Sequence, residues 1–80
     1  MKKDVNILQE PENMQFSVAK STTNSDILDI LVNSPNDLVR MTAVENPAIK
    51  TETLKKKVDD EDVGVRWKAR EALEKRGVQI

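Results

Sequence analysis

The chain has 80 residues, of which 34% are charged and 38% hydrophobic, and its net charge is −1 with neither histidine nor cysteine. This length allows one domain, and the missing residue types exclude Ser–His–Asp or Cys–His catalysis, disulfides and thiolate metal sites. No apolar run approaches the roughly 20 residues of a membrane span or forms a secretory signal, so we expect a cytoplasmic protein without membrane partners.

The first predicted elements lie before residue 33. Residues 1–10 predict an N-terminal tail or a partial helix, and a first helix is predicted over Pro11–Lys20, with Met14 and Val18 four residues apart on one face. Short polar residues then break the helix, and Ser25 is the predicted N-cap of a second helix. We expect this second helix near the centre of the core because it is the most apolar, with Ile27, Leu28, Ile30, Leu31 and Val32.

A third helix has clear start and stop signals. Ser34 is its predicted N-cap, Pro35 suits the first helical position, and Asp37 follows as in a capping box. The helix is predicted to end at Asn46, because a residue that precedes a proline, here Pro47, disfavours the helical conformation.

The last two predicted helices differ in apolar content. Helix four, with Thr51 as its predicted cap, has only Leu54 and Val58 as apolar residues, which leaves open whether it is α or 3₁₀. Helix five is predicted from near Asp60 to Gly77, since acidic residues favour helix starts and glycine favours a left-handed C-cap. Residues 78–80 are predicted to be a short tail.

The helices repeat along the chain. A shift of 26 places Val39-Arg40 on Val65-Arg66, and a shift of 25 places Met14-Gln15 on Val39-Arg40. A period near 25 with two helices per unit is typical of a helical solenoid, in which stacked units create the core. The sequence therefore predicts a repeat domain of about two and a half units over residues 11–77.

Two motifs carry a resemblance to known repeat families. The pattern V-R-x-x-A-x-x-x-L from Val65 to Leu73 resembles a HEAT-like repeat, and A-V-E-N-P at 43–47 with the following helices is similar to the leucine-rich repeat variant. Gln15 departs from the pattern, because the other two copies have arginine there. The resemblance implies an all-α, short right-handed α-solenoid of about five short helices that binds proteins or, less often, nucleic acid.

One large apolar residue recurs at the same place in each copy, as Phe16, Met41 and Trp67. At 100° per residue, Trp67 lies about 200° from Val65 and thus away from the core side of helix five. We predict that these residues form a non-catalytic protein-binding face, because interfaces combine apolar anchors with a polar rim. The predicted rim consists of Lys20, Glu45, Arg70 and Glu71. The alternative is that the large residues fill gaps between layers or cap the stack.

Two recurrent arginines are predicted to make structural ion pairs. Arg66 has Asp62 four residues before it, and Arg40 has Asp37 three residues before it or an acidic residue of the next unit as a partner. Phosphate or carboxylate binding is the alternative role for both guanidinium groups.

Other functions find weaker support in the sequence. Lys55, Lys56, Lys57, Lys68 and Arg70 could form a basic patch for nucleic acid, but the acidic stretch at 59–62 lies beside it and the net charge argues against that reading. The same acidic stretch is better explained by helix capping than by a metal site, so no metal or cofactor is predicted. A degenerate fragment of a HEAT-like lyase or glycosylase is a third reading. Exposed ends of a stack predict capping by the tails or self-association into a homo-oligomer.

Overall fold

The computed structural model describes residues 6–79, and in that range helices are the only regular secondary structure, without a strand. Within residues 6–79, a short 3₁₀ helix, Ile7–Gln9, precedes five α-helices. The α-helices are α1 (Glu12–Ser21), α2 (Ser25–Leu31), α3 (Asp37–Glu45), α4 (Thr51–Lys57) and α5 (Val63–Lys75). The predicted all-α class is therefore confirmed, and α4 is a regular α-helix. The predicted partial helix within residues 1–10 corresponds to Ile7–Gln9 where the structure describes it, and its first five residues lie outside the described range.

Three of the five α-helices of residues 6–79 begin at an Asn or Asp cap that was not predicted. The side chain of Asn24 accepts hydrogen bonds from the first turn of α2, Asn36 does the same for α3, and Asp62 accepts from Val65 N in α5. The predicted caps Ser25 and Ser34 are therefore wrong, as is the predicted start of helix five near Asp60. A side-chain oxygen can accept a hydrogen bond from a backbone N–H two or three residues later in the chain, and asparagine and aspartate supply that oxygen here.

The remaining cap predictions have mixed outcomes. Lys50 rather than Thr51 holds the N-cap position of α4, with no side-chain hydrogen bond to the helix. Asn46 ends α3 in an extended conformation, as the following proline requires. Gly77, just beyond α5, has a φ of +75°, which L-residues rarely adopt, so the predicted left-handed glycine is confirmed.

The helices pack in a regular order. α3 lies between α1 and α5 and packs against both, while α4 packs against α5, and α2 packs against α3 and the 3₁₀ helix. Ion pairs connect α2 to the start of α4, since Nζ of Lys50 lies 2.9 Å from carboxylate oxygens of Asp26 and Asp29. Burial acts to raise the pKa of Asp29, but the hydrogen bond from the Thr53 hydroxyl and the hydrogen bond and charge of the Lys50 ammonium outweigh it and hold that pKa below its usual value. Helices that are 20 to 30 residues apart in sequence are thus held together.

In residues 6–79 the core is a single cluster that draws on every α-helix. Leu28, Leu31, Leu54 and Leu73 are fully buried in it. Of the other apolar residues of the second predicted helix, Val32 is also buried, Ile27 is half-buried and Ile30 is exposed. The remaining buried members of the cluster are Ala19, Val39, Ala43, Val44, Ile49, Val65 and Ala69. Val78 packs against the cluster from the C-terminal side, so the predicted tail contributes to the core in part.

The face of α1 that Met14 and Val18 were predicted to share is not its most buried side. Met14 is 46% exposed and Val18 is half-buried, whereas Gln15 and Ala19 are buried. Gln15 can be buried because both the nitrogen and the oxygen of its side-chain amide make hydrogen bonds. It donates to the carbonyls of Leu8 and Glu10 and accepts a 2.8 Å bond from the hydroxyl of Ser34. A polar residue that finds such partners is tolerated in the core.

No helix in residues 6–79 has the length and apolar content needed to cross a bilayer.

Candidate functional site

Phe16, Met41 and Trp67 lie at corresponding places on the three helices α1, α3 and α5, which pack side by side. Phe16 is 41% exposed and Trp67 is 65% exposed, while Met41 is half-buried. An exposed large apolar side chain carries an unfavourable contact with water that a partner surface can remove. Phe16 and Trp67 are therefore available for binding, and Met41 only in part.

Met41 is half-buried because α5 lies close to it. An ideal Cβ on Gly64 would lie 2.5 Å from Cε of Met41, which is well inside van der Waals contact. The missing side chain at Gly64 thus leaves room for the end of Met41 over the first turn of α5. Met41 belongs partly to the contact between α3 and α5 and partly to the surface.

Two further apolar residues were missed by the sequence analysis. Leu38 is 58% exposed in the first turn of α3, and Val63 is 69% exposed in the first turn of α5. Leu38 precedes Met41 by three residues and Val63 precedes Trp67 by four, and residues at these spacings share a helix face. That spacing was the signal that could have identified them. We refer to Phe16, Leu38, Met41, Val63 and Trp67 as the apolar face.

The predicted rim residues are close to these side chains in two places. Phe16 and Lys20 line a shallow groove between α1 and α3 together with Glu45. Arg70 lines a second hollow, on α5, together with Val63, Arg66 and Trp67. Glu71 is half-buried on the side of α5 that faces α3, so it is less accessible than the other rim residues.

Lys68, assigned to the predicted basic patch, instead connects α3 to α5. Its Nζ lies 3.1 Å from Oε2 of Glu45 and 3.7 Å from Oε1 of Glu71. The hydrogen bond and charge of Glu45, with the charge of Glu71, raise the pKa of Lys68. This lysine is therefore compensated within the protein and offers little net charge to a nucleic-acid phosphate.

Two of the three lysines of α4 are also close to a carboxylate of the same chain. Nζ of Lys57 lies 3.5 Å from Asp60 and donates to the Asn33 side chain, and Lys55 is 4.0 Å from Glu52. Lys56 is exposed at the surface. Among residues 6–79, no three acidic side chains are grouped closely enough to hold a metal ion.

Arg40 makes a buried ion pair with Asp60, an acidic residue of the next predicted unit, and not with Asp37. Its Nε and one terminal nitrogen donate to the two carboxylate oxygens at 3.1 and 3.2 Å, and its other terminal nitrogen donates to the Ser34 carbonyl at 2.7 Å. The two side chains are only 9% and 4% exposed. Burial acts to raise the pKa of Asp60, but the backbone N–H of Asp62 and the Arg40 guanidinium outweigh it and hold that pKa below its usual value.

Arg66 corresponds to Arg40 in sequence, but its surroundings differ. It donates to the backbone carbonyls of Asp60 and Glu61 at 2.8 and 3.2 Å, as Arg40 does to Ser34. The predicted pair with Asp62 does not form, because that carboxylate caps α5. Among the residues that the structure describes, no carboxylate lies within 4.0 Å of the Arg66 guanidinium.

Gln15, Arg40 and Arg66 therefore hold corresponding positions with related contacts. Each side chain donates to carbonyls of the segment just before its own helix, and the first two also bind the turn that precedes the next helix of the row. The bond between Gln15 and Ser34 was not predicted, because its two residues are 19 positions apart and neither is charged.

Searches against protein-family models, curated proteins and solved structures found no match to this chain. The resemblance to HEAT-like repeats and to the leucine-rich repeat variant therefore stays a prediction that depends on the chain's own residues.

Proposed function

We propose that this chain is a short right-handed solenoid of about two and a half helical units and that it binds another protein through the apolar face. The regular row of α1, α3 and α5 supports the repeat arrangement. So do the matching hydrogen bonds of Gln15, Arg40 and Arg66 at intervals of 25 and 26 residues.

The exposure of Trp67 and Phe16 is the observation on which the proposed function depends. The chain has one tryptophan and one phenylalanine, and both are exposed, at 65% and 41%, although its small core would gain from burying them. Tryptophan and other large apolar residues concentrate at the energetic centres of protein interfaces. Two exposed aromatic rings on α1 and α5, the helices on either side of α3, are typical of a binding surface.

The surroundings of the apolar face fit the same function. Lys20, Glu45 and Arg70 supply charges of both signs beside Phe16 and Trp67. A charged rim around an apolar centre contributes to the choice of partner and to its orientation. This composition favours a protein partner over a nucleic acid, whose backbone needs an excess of positive charge.

The alternative nucleic-acid function receives less support from the geometry. Lys55, Lys57 and Lys68 lie within 4.0 Å of carboxylates of the same chain. A titration with fluorescent RNA and DNA at low salt distinguishes the two functions. Binding that falls steeply with added salt and is lost in Lys55→Gln/Lys56→Gln would favour the nucleic-acid function over the one proposed.

A cross-linking pull-down from cells of the native source tests the proposal. The bait is the full chain as wild type, as Phe16→Ser and as Trp67→Ser. The matched control is Ile30→Ser, because Ile30 is 40% exposed on α2 and thus as accessible as Phe16 but outside the apolar face.

We expect a protein that the wild type and Ile30→Ser recover equally and that both other variants lose, while circular dichroism shows all four chains to be folded. The proposal is overturned if recovery is the same for all four chains, or if Ile30→Ser loses the protein as well.

A further inference from the structure

One side of α3 is covered by α5, and the contacts between the two helices show which kinds of residue pack against this side. Arg40 binds the carboxylate of Asp60, which lies in the turn that precedes α5. Met41 lies over Gly64 in the first turn of the same helix. Val44, one turn further along α3, is buried. The covering helix thus brings an acidic residue and, four positions later, a residue without a side chain.

The corresponding side of α5 has no such cover among the residues that the structure describes. A shift of 26 places Arg40, Met41 and Val44 on Arg66, Trp67 and Arg70. Together with Val63, these three residues line one shallow hollow. Trp67 and Val63 are 65% and 69% exposed there. We refer to Val63, Arg66, Trp67 and Arg70 as the end face.

The charges of the end face indicate the chemistry of its occupant. No carboxylate of residues 6–79 lies within 4.0 Å of either Arg66 or Arg70. Two guanidinium groups beside an apolar ring fit an acidic group followed by a closely packed helix, because arginine binds carboxylates with paired hydrogen bonds. Two guanidinium groups without a carboxylate nearby among residues 6–79 disfavour an apolar or basic partner.

A second copy of this chain is a poor occupant. In a head-to-tail stack, Gln9 of the second copy would take the position of Asp60, and it has no charge. Lys20 of the second copy would take the position of Glu71, so a basic residue would replace an acidic one. Two end faces placed against each other would bring the arginines of both copies together, and like charges in contact are unfavourable.

We infer that the end face binds a helix of another protein whose preceding turn carries an aspartate or glutamate four positions before a glycine or alanine. This inference rests on the proposed protein-binding function and narrows it, since Val63 and Trp67 belong to both surfaces. The partner's carboxylate lies against Arg66 as Asp60 lies against Arg40, and its small residue faces Trp67 as Gly64 faces Met41.

A peptide with the sequence of residues 58–77 is the probe, because it contains the acidic turn and the helix that α3 already accepts. The peptide carries Trp67→Phe, so that all fluorescence comes from Trp67 of the full-length chain, the only tryptophan in it. We expect a saturable shift of that emission to shorter wavelength, since docking removes the ring from water. Asp60→Asn in the peptide should weaken binding about tenfold, the effect of losing one charged hydrogen-bond partner.

Variants of the chain locate the bound peptide. Arg66→Gln should weaken binding by a similar factor and make the chain insensitive to Asp60→Asn in the peptide, and Arg70→Gln should weaken it without affecting folding. Lys75→Gln removes the same charge from the last turn of α5 and should bind like the wild type. The inference is overturned if there is no saturable shift up to about 1 mM peptide, a limit that corresponds to very weak binding. It is also overturned if Arg66→Gln and Lys75→Gln bind the peptide equally.

Phe16→Ser separates this inference from the proposed function. It removes an anchor of the apolar face that lies outside the end face, so it should leave peptide affinity unchanged. If the pull-down depends on Phe16 and Trp67 but the peptide does not bind, the proposed function stands and the inference about the end face is wrong.

Discussion

Replacing Asp60 by asparagine should destabilise the protein strongly, although the two side chains have nearly the same shape. The carboxylate is 4% exposed and accepts two hydrogen bonds from Arg40 and one from the backbone N–H of Asp62. Asparagine keeps one acceptor oxygen but leaves a buried guanidinium without its counter-charge. Removal of one partner from a buried pair costs about 3–5 kcal/mol, and we expect about 3 kcal/mol because part of the hydrogen bonding remains.

That loss is large for a chain of this size. A domain of 80 residues has a total free energy of unfolding of roughly 4–12 kcal/mol, so the variant should lose between a quarter and three quarters of it. The melting temperature should fall by at least about 12 °C. Thermal and urea unfolding followed by circular dichroism measure both quantities.

Two comparisons make this test specific to the buried pair. Asp59→Asn removes the same charge from an exposed neighbour and should change stability by less than about 0.5 kcal/mol. In an Arg40→Met background, Asp60→Asn should cost much less than in the wild type, because no buried guanidinium remains to be neutralised. The reasoning is refuted if Asp60→Asn and Asp59→Asn have the same effect, or if the Arg40→Met background makes no difference.

Four further outcomes follow from the same contacts. Because the folded pKa of Asp60 lies below its ordinary value of 3.8, its contribution is complete above that pH and is lost as pH falls through the folded pKa; the stability gap between wild type and Asp60→Asn, measured by urea unfolding, should shrink below about pH 4. Leu28→Ala should cost about 2–5 kcal/mol in the same assay, since Leu28 is fully buried, and a cost under about 1 kcal/mol would contradict its place in the core. Trp67→Ala should cost less than about 0.5 kcal/mol by thermal unfolding, because the ring is 65% exposed, and a severe loss would show that it packs in the core. Gly77→Ala should cost about 1 kcal/mol in thermal melts, because its φ of +75° strains an L-residue, and an unchanged melting temperature would mean that this turn relaxes freely.

The sequence by itself determined the local features of the fold. Pro47 ends α3 and Gly77 follows α5 because each restricts or permits backbone angles regardless of what surrounds it. The helical class could be read in the same way, since it depends on residues within a few turns of each other. The spacing of 25 and 26 residues between corresponding positions came from comparing stretches of the chain with each other. The recurrence of Phe16, Met41 and Trp67 also needed no structure.

Tertiary structure decided which of these residues are buried and which partners they meet. Gln15 rather than Met14 is buried, and the hydroxyl of Ser34, 19 residues away, donates a hydrogen bond to its side-chain oxygen there. Arg40 was predicted to pair either with the nearby Asp37 or with an acidic residue of the next unit, and the packing of α3 against α5 selects Asp60, 20 residues away. Burial and charge pairing depend on groups that only the packing of separate helices brings together, so no local pattern could fix them.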